Sequence, residues 1–177
     1  MKIRIAPSLM CSDFRSLEAE VNLFERNGLE LLHFDMMDGH FVPNLMLGPD
    51  MVKAVSAMTR LTPDVHMMVE NPEHFLPALA PLLTNVEMVL VMAVQPGHAG
   101  QKILPGAIER IAGLKEMTSR LGVSPLIEVD GNTTFENIRT MAAAGADVIV
   151  AGSSCLYRKG VPLEAALDEL IGFVASL

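Results

Sequence analysis

The stretch LLHFDMMDGHFVPN, residues 31–44, constrains the fold of this chain more than any other. Its opening apolar run predicts a strand buried on both faces. His33 and Asp35 lie two residues apart, so both side chains point to the same face of that strand. A histidine beside a carboxylate at the end of a buried strand indicates a metal site, an acid–base site, or a buried histidine satisfied by its neighbour. Partners at the ends of other strands decide between these interpretations.

Strand and helix patterns alternate along the chain. Apolar runs predict six strands, over residues 3–8, 31–36, 64–69, 88–94, 126–129 and 147–151. After the first helix, further helices are predicted over residues 49–58, 71–79, 105–121, 135–144 and 162–175. This alternation predicts an α/β fold of parallel strands covered by helices. A closed barrel of this kind needs eight strands, two more than the patterns predict.

Capping signals mark the ends of two helices. Ser12 and Asp13 are predicted to cap a first helix that stops at Gly28. The apolar positions of that helix recur at three- and four-residue spacing: Phe14, Leu17, Val21 and Phe24. Thr133 or Thr134 is predicted to cap the helix over residues 135–144.

Composition bounds the class of protein. With 177 residues, half of them hydrophobic, the chain suits one globular domain over residues 1–177. A net charge of -8 without a Lys/Arg run argues against binding to nucleic acid or to an anionic membrane. Because no apolar run is long enough for a signal peptide or a membrane span, we expect a cytoplasmic protein. Cys11 and Cys155 are expected to be free thiols.

Two more strand ends supply partners for His33 and Asp35. They are His66 in DVHMMV and Asp130 in IEVDGN. Because the carboxyl ends of parallel strands meet at the mouth of a barrel, the four side chains are predicted to converge. Two histidines and two carboxylates suit one divalent ion, zinc first, or else iron, manganese or cobalt. Asp38 and His40, in the motif just beyond the strand, are assigned to the loop and not to the metal.

Three methionines are candidates for lining the site. Met37 shares a strand face with Asp35, Met68 shares one with His66, and Met92 lies near the end of another strand. Two interpretations stay open. The side chains fill core space, or they exclude water where a charged intermediate forms.

Two glycine-containing loops follow later strands. The loop Gly97-His98-Ala99-Gly100 follows the fourth predicted strand, and Gly152-Ser153-Ser154 follows the last. Such loops let backbone N–H groups approach an anion, and the loops after the last two strands of a barrel commonly bind phosphate. A single GxxG is usually only a turn, but the two loops together predict a phosphate site.

The chain resembles the ribulose-phosphate 3-epimerase family, and also the related allulose-6-phosphate 3-epimerases. The motifs that carry the resemblance occur in the family's order: APSLMCSDF, HFDMMDGHFVPN, DVHMMVENP, VLVMAVQPGHAGQKILP, IEVDGN and DVIVAGSS. The resemblance implies a (βα)8 TIM barrel that inverts C3 of a small ketose phosphate. It also implies a homo-oligomer, commonly a dimer or hexamer in this family.

The resemblance gives roles to individual residues. It implies that Asp35 and Asp130 are the acid–base groups on the two sides of C3 and are also metal ligands, together with His33 and His66. A carboxylate is too weak a base for such a carbon acid unless the enediolate is stabilised, and a Lewis-acidic metal would stabilise it. The implied substrate contacts are Ser8, His66, Gly97, His98, Ala99, Gly100, Gly131, Asn132, Gly152 and Ser153.

The chain departs from the family pattern in three places. The family's EVDGG is EVDGN here, with Asn132 beside the substrate, and its GFGG is GHAG, with His98 replacing an aromatic residue. The family's fourth and fifth strands are absent, which leaves an apparent gap in the region 79–87. Either residues are omitted from the sequence there, or the chain carries a true deletion. We expect omission, because deletion would leave parallel strand edges unpaired.

The predicted function is metal-dependent 3-epimerisation of ribulose 5-phosphate to xylulose 5-phosphate, or of allulose 6-phosphate to fructose 6-phosphate. An orotidine-phosphate-type decarboxylase would need a lysine in D-x-K-x-x-D, and Asp35-Met36-Met37-Asp38 has none. The alternative from a different class is a non-catalytic, phosphate-ligand-binding remnant of the barrel. Only the absent strands favour it, since both acid–base aspartates are retained.

Overall fold

The structure is a computed structural model that describes residues 3–70, 87–120, 122 and 124–177. The described residues belong to two compact units. The first unit draws on Met1–Ile5, Val86–Gln95 and Ala99–Leu177, and the second on Ala6–Asn85 and Pro96–His98. Within the described ranges, no helix has both the length and the apolar character that crossing a membrane requires.

The described residues form seven strands and five α-helices. The strands are β1 (Arg4–Pro7), β2 (Leu31–Asp38), β3 (Leu45–Met46), β4 (Thr62–Met68), β5 (Met88–Met92), β6 (Leu126–Asp130) and β7 (Val148–Ala151). The helices are α1 (Leu17–Arg26), α2 (Pro49–Ser56), α3 (Ala107–Arg120), α4 (Phe135–Ala144) and α5 (Leu163–Ala175). All six predicted strands are present, and β3 is an additional short strand. The helix predicted over residues 71–79 and nearly all of the region 79–87 lie outside the described residues.

The first unit is organised by a four-stranded sheet in the order β1-β7-β6-β5. β6 pairs in parallel with β5 on one side and with β7 on the other, as expected for strands connected through helices. The buried cluster of this unit combines residues of β6, α3 and α4 with residues that follow β5 and α4: Ala93, Ala107, Ile111, Ile127, Val129, Met141 and Ala146. Helix α3 and helix α4 therefore cover this sheet through their buried residues, as the alternation of strands and helices predicted.

The second unit contains a three-stranded sheet in the order β3-β2-β4. β2 and β4 run parallel, from Leu31 opposite Thr62 to Met37 opposite Met68. β3 pairs antiparallel with the end of β2. Every residue of β2 from Leu31 to Met37 is buried, which confirms the strand buried on both faces.

The start of α1 differs from the prediction. The helix begins at Leu17 with Ser16 as its N-cap residue, so the assignment of Ser12 and Asp13 as caps is wrong. The carboxylate of Asp13 instead accepts a hydrogen bond from Nη2 of Arg15 at 2.6 Å. Phe14 lies before the helix with 47% of its surface exposed and does not belong to the apolar face. The Asp13 carboxylate that the capping pattern would use is therefore bonded to a neighbouring side chain in the connecting turn.

Other local predictions are confirmed. The Thr134 side chain accepts a hydrogen bond from the N–H of Asn137 at 3.2 Å and so caps α4. Gly145 ends that helix in a left-handed conformation, with φ of 110°. Neither Cys11 nor Cys155 forms a disulfide, and Cys155 is buried.

Candidate metal centre

Strands β2 and β4 carry mirrored pairs of histidine and aspartate. In the parallel register, His33 lies opposite Asp64, and Asp35 lies opposite His66. The sequence is H-x-D on β2 and D-x-H on β4. Because residues two apart on a strand share a face, the four side chains lie on one face of this strand pair.

The carboxylate of Asp35 lies at the centre of this arrangement. Its Oδ1 atom is 3.4 Å from Nε2 of His33 and 3.4 Å from Nδ1 of His66. Its Oδ2 atom accepts a hydrogen bond of 2.8 Å from Oγ of Ser8. One oxygen of Asp35 therefore faces both imidazoles, and the other accepts a hydrogen bond from the serine that the family resemblance implies as a substrate contact.

The three predicted ligands of this unit fit a divalent ion. His33, Asp35 and His66 each offer a ligand atom, and these atoms lie within 4.8 Å of one another. Ligand atoms placed about 2.0–2.1 Å from a tetrahedral zinc ion are about 3.3–3.4 Å apart. Both nitrogen-to-Oδ1 distances have this length. Two imidazoles and a carboxylate are also a donor set that zinc and other first-row divalent ions accept.

The electrostatics of the group favour an ion pair between His33 and Asp35. Burial disfavours charge on His33, but the carboxylates of Asp64 and Asp35 raise the pKa of His33 well above its ordinary value. Burial likewise disfavours charge on Asp35, but His33, followed by hydrogen bonds from His66 and Ser8, holds the pKa of Asp35 well below its ordinary value. A proton and a metal ion therefore compete for the same buried imidazole.

Asp64 is a component of the site that the sequence reasoning missed. Its Oδ2 atom forms a hydrogen bond with Nδ1 of His33, on the side of the ring away from the nitrogen that faces Asp35. Its side chain is 13% exposed. The sequence feature that points to Asp64 is the D-x-H pattern of β4. This pattern becomes informative only when the strand register is known, because the register places Asp64 opposite His33 of the H-x-D pattern on β2.

His40 lies in the loop after β2, as predicted, whereas Asp38 is the last residue of β2 and not a loop residue. Oδ1 of Asp38 accepts hydrogen bonds from the N–H groups of His40 at 2.9 Å and Phe41 at 3.0 Å. Oδ2 of Asp38 accepts one from the N–H of Glu70 at 2.7 Å. Asp38 thus organises the backbone beyond two strand ends, while the His40 side chain is largely exposed.

Three of the remaining predicted site residues of the second unit lie beside Val42: Met37, Met68 and Gly97. Met37 and Met68 pack with Val42 in a buried cluster, so both methionines contribute to the core of this unit. Gly97 has φ of 117°, and a Cβ atom added there would lie 3.3 Å from Cβ of Val42. The Gly97 carbonyl accepts a hydrogen bond of 3.2 Å from Nδ2 of Asn44. His98 is exposed.

The other predicted site residues belong to the first unit: Met92, Ala99, Gly100, Asp130, Gly131, Asn132, Gly152 and Ser153. Asp130 is the last residue of β6 and lies opposite Met92 of β5. Gly131 has φ of 108°, and a Cβ atom there would lie 2.5 Å from a methyl group of Val94, so the backbone needs glycine at this position. Nδ2 of Asn132 donates to the carbonyl of Gln101 at 2.7 Å.

Comparison with known proteins identifies the family. The family model described as "Ribulose-phosphate 3 epimerase family" matches residues 4–82 and 77–156. The ribulose-phosphate 3-epimerase of Bacillus subtilis is 32% identical over 198 residues, covering 86% of this chain and 91% of that protein. The ribulose-phosphate 3-epimerase of Methanocaldococcus jannaschii is 33% identical over 217 residues, covering 95% of this chain and 93% of that protein.

A plant relative and the length of the alignments add to this comparison. The chloroplastic ribulose-5-phosphate-3-epimerase of Arabidopsis thaliana is 31% identical over 204 residues, covering 89% of this chain and 73% of that protein. These alignments are longer than the 177 residues of this chain. The relatives therefore carry residues that this chain lacks, in agreement with the missing βα units.

Solved structures with a similar fold support the predicted class. Phosphoribosyl anthranilate isomerase from Thermus thermophilus superposes with a TM-score of 0.57 at 14% identity, covering 98% of this chain and 99% of that one. (S)-3-O-geranylgeranylglyceryl phosphate synthase from Thermoplasma acidophilum gives a TM-score of 0.59 at 14% identity, covering 99% and 94%. At this identity the likeness concerns the fold alone, and it agrees with the predicted α/β TIM-barrel class. Because the family model matches most of its length, the chain belongs to the ribulose-phosphate 3-epimerase family, a family of isomerases that act on carbohydrate phosphates.

Proposed function

We propose that this chain is a metal-dependent 3-epimerase that interconverts ribulose 5-phosphate and xylulose 5-phosphate. The observation that carries this proposal is the position of Asp35, with Oδ1 3.4 Å from the imidazoles of His33 and His66 and Oδ2 bonded to Ser8. The names of the relatives from Bacillus subtilis and Arabidopsis thaliana support the choice of substrate. Allulose 6-phosphate is the second substrate to be tested.

The metal would be held by His33, Asp35 and His66, and we propose Asp130 as the fourth ligand because of its motif, IEVDGN, at the end of β6. Zinc is the first choice for this donor set, while iron, manganese and cobalt accept the same donors. When bound, the ion supplies a Lewis acid that draws electron density from the substrate's ketone and acidifies the proton at C3.

Asp35 is proposed as the base on one side of C3. Its carboxylate is ionised at neutral pH, because neighbouring groups, His33 foremost, keep the pKa of Asp35 low in spite of burial. The same low pKa makes it a weak base, so the C3 proton must be acidified for transfer to occur. Oδ1 faces the imidazoles, so Oδ2 is the oxygen proposed to accept the proton, with the Ser8 hydroxyl orienting it.

Asp130 is proposed as the acid on the other side of C3. Inversion requires that a proton leave from one face and return on the other, so two groups must flank the carbon. Asp130 ends β6 and is followed by Gly131, whose backbone conformation excludes a side chain. Which aspartate acts first depends on the direction of the reaction.

The glycine loops are proposed to bind the phosphate, and the methionines to keep water out. Gly97 and Gly100 adopt left-handed conformations, with φ of 117° and 83°, and the loop that they bound is proposed to direct backbone N–H groups toward an anion. The proposed substrate contacts include His98, Ala99, Asn132, Gly152 and Ser153. Met37, Met68 and Met92 are proposed to line the site. A homo-oligomeric state and a cytoplasmic location remain proposals as well.

The test is turnover of ribulose 5-phosphate and allulose 6-phosphate side by side, with metal content measured on the same sample. We expect epimerisation of ribulose 5-phosphate at the higher kcat/KM, by protein that carries about one divalent ion per chain. A higher kcat/KM on allulose 6-phosphate would show that the hexulose phosphate is the preferred substrate. A folded, metal-loaded protein that turns over neither sugar would contradict the epimerase proposal and favour the non-catalytic phosphate binder.

A further inference from the structure

We propose that Asp64 is a positioning residue for the metal centre, because it holds the ring of His33 with Nε2, and not Nδ1, directed at Asp35. This inference rests on the proposed metal-dependent function. It assigns a role to a carboxylate outside the proposed ligand set, which acts through its hydrogen bond with His33.

The contacts of His33 support this role. Nδ1 of His33 forms a hydrogen bond with Oδ2 of Asp64, while Nε2 of the same ring lies 3.4 Å from Oδ1 of Asp35. The ring is fully buried, so water does not compete for either nitrogen. A ring rotated by half a turn would lose the geometry of both contacts together.

The hydrogen-bonding chemistry fixes which nitrogen can bind a metal. A neutral imidazole carries one N–H and one lone pair, and an ionised carboxylate can only accept a hydrogen bond. When a metal ion replaces the second proton of His33, the neutral ring that bonds Asp64 must therefore carry its hydrogen on Nδ1, and the lone pair remains on Nε2. A carboxylate behind a metal-bound histidine also makes the imidazole a better ligand.

The two histidines of the site differ in a way that Asp64 explains. His33 presents Nε2 to Oδ1 of Asp35, whereas His66 presents Nδ1 to the same oxygen. Asp64 contacts the Nδ1 atom of His33, and this contact leaves Nε2 as the nitrogen that faces the centre. The structure thus assigns opposite nitrogens to the two proposed ligands, and Asp64 is the group that sets the choice at His33.

The strand register makes Asp64 a rigid support. Asp64 and His66 are two residues apart on β4, and they lie opposite His33 and Asp35 on β2. The same β-strand therefore provides one proposed ligand and the group that orients another. A support on a paired strand holds an imidazole more firmly than one on a loop.

The test compares zinc affinity in the full-length Asp64→Asn and Glu70→Gln proteins by competition with a chelator. Both substitutions replace a carboxylate by its amide, but Asp64 lies within β4, whereas Glu70 follows the strand and is exposed. We expect Asp64→Asn to weaken zinc binding by roughly 10–100-fold, as for other supporting residues of metal sites. Glu70→Gln should bind zinc as the wild type does. Equal zinc affinity in the two variants would overturn the inference.

A second readout uses the wild type and so does not depend on how a variant folds. In the zinc-loaded protein, long-range 1H–15N correlation should show His33 with Nδ1 protonated and Nε2 coordinated. His33 coordinated through Nδ1 would overturn the inference and leave the proposed function standing. A wild-type protein that binds no divalent ion would overturn both.

Discussion

Asp35 and His66 lie opposite each other on adjacent parallel strands, with 3.4 Å between Oδ1 of the aspartate and Nδ1 of the histidine. Two residues earlier in the same register, His33 lies opposite Asp64. The pairing of β2 with β4 thus assembles three proposed metal ligands and the residue that supports one of them. A slip of one residue in this register would move the β4 members to the other face of the strand.

Replacing a proposed ligand should abolish metal binding. His66→Ala removes an imidazole nitrogen whose position fits tetrahedral coordination, so we expect zinc affinity to fall by more than the roughly 100-fold upper range seen for supporting residues. His40→Ala is the matched control, because the His40 side chain is 74% exposed and lies in the loop. Metal content after dialysis, measured for both variants, checks the prediction. Equal zinc content in the two would count against His66 as a ligand.

Removing the Ser8 hydroxyl should destabilise the protein. Ser8 and Asp35 are both buried, and the hydroxyl donates to Oδ2 of Asp35 at 2.8 Å. Ser8→Ala leaves a buried carboxylate oxygen without this donor, and we expect a loss of about 1–3 kcal/mol in the free energy of unfolding. Ser56→Ala is the control, since the Ser56 hydroxyl has no hydrogen-bond partner among the described residues. Urea unfolding of metal-free protein should separate the two, and equal losses would show that the bond contributes nothing.

The shared strand face of two proposed ligands could be predicted from the sequence because strand parity is a local property. His33 and Asp35 share a face at whatever place the strand takes in a sheet, and His66 lies near the end of a strand that the DVHMMV pattern made recognisable. Asp64 could not be found in this way. Its role depends on the register between β2 and β4, which brings it opposite His33, and no spacing within either strand encodes that register.

The free energy of unfolding should depend on pH in the acid range because of Glu25. The hydrogen bond from the Thr59 hydroxyl, then those from Arg60, lower the pKa of Glu25 to about 2. The folded state therefore keeps this carboxylate charged to lower pH than the unfolded chain does. The resulting stabilisation is complete above the ordinary glutamate pKa of about 4.3 and is lost as the pH falls toward about 2.

The Glu25→Gln variant tests this pH dependence of stability. The variant should be less stable than the wild type at pH 6, and its urea midpoint should decline less between pH 5 and pH 2. Glu18→Gln, an exposed position on the same helix, is the control and should keep the wild-type slope. A Glu25→Gln slope equal to that of Glu18→Gln would show that the hydrogen bonds to Thr59 and Arg60 do not couple to folding.

Two substitutions of Asn132, where the chain departs from the family pattern, should differ in their effect on stability. Asn132 has φ of 51°, its Nδ2 donates to the carbonyl of Gln101, and its Oδ1 accepts from Asn137 at 2.7 Å. Asn132→Gly loses these bonds but tolerates the left-handed conformation, whereas Asn132→Ala loses them and is strained. We expect Asn132→Ala to be the less stable of the two by about 1 kcal/mol in urea unfolding. Equal stability would mean that the backbone there relaxes.

Local side-chain pairing and tertiary context explain the remaining differences between sequence and structure. Because Asp13 pairs with Arg15, it does not cap the helix, and α1 begins at Leu17. Strand β3 forms by pairing with the end of β2. Because it has only two residues, its sequence shows no periodicity from which a strand could be predicted. The two hydrogen bonds of the Asn132 side chain depend on loops distant in sequence or on the geometry of the following helix.

Hydrogen exchange at C3 of ribulose 5-phosphate in deuterated water tests whether the protein removes and returns the proton at this carbon. The wild-type protein with one zinc ion per chain should incorporate deuterium at C3 during the approach to equilibrium, since Asp35 and Asp130 exchange their protons with solvent. His40→Ala should do so at the wild-type rate, and Asp35→Asn should not. An intact, metal-loaded wild-type protein that leaves C3 unlabelled would contradict proton transfer by Asp35 and Asp130.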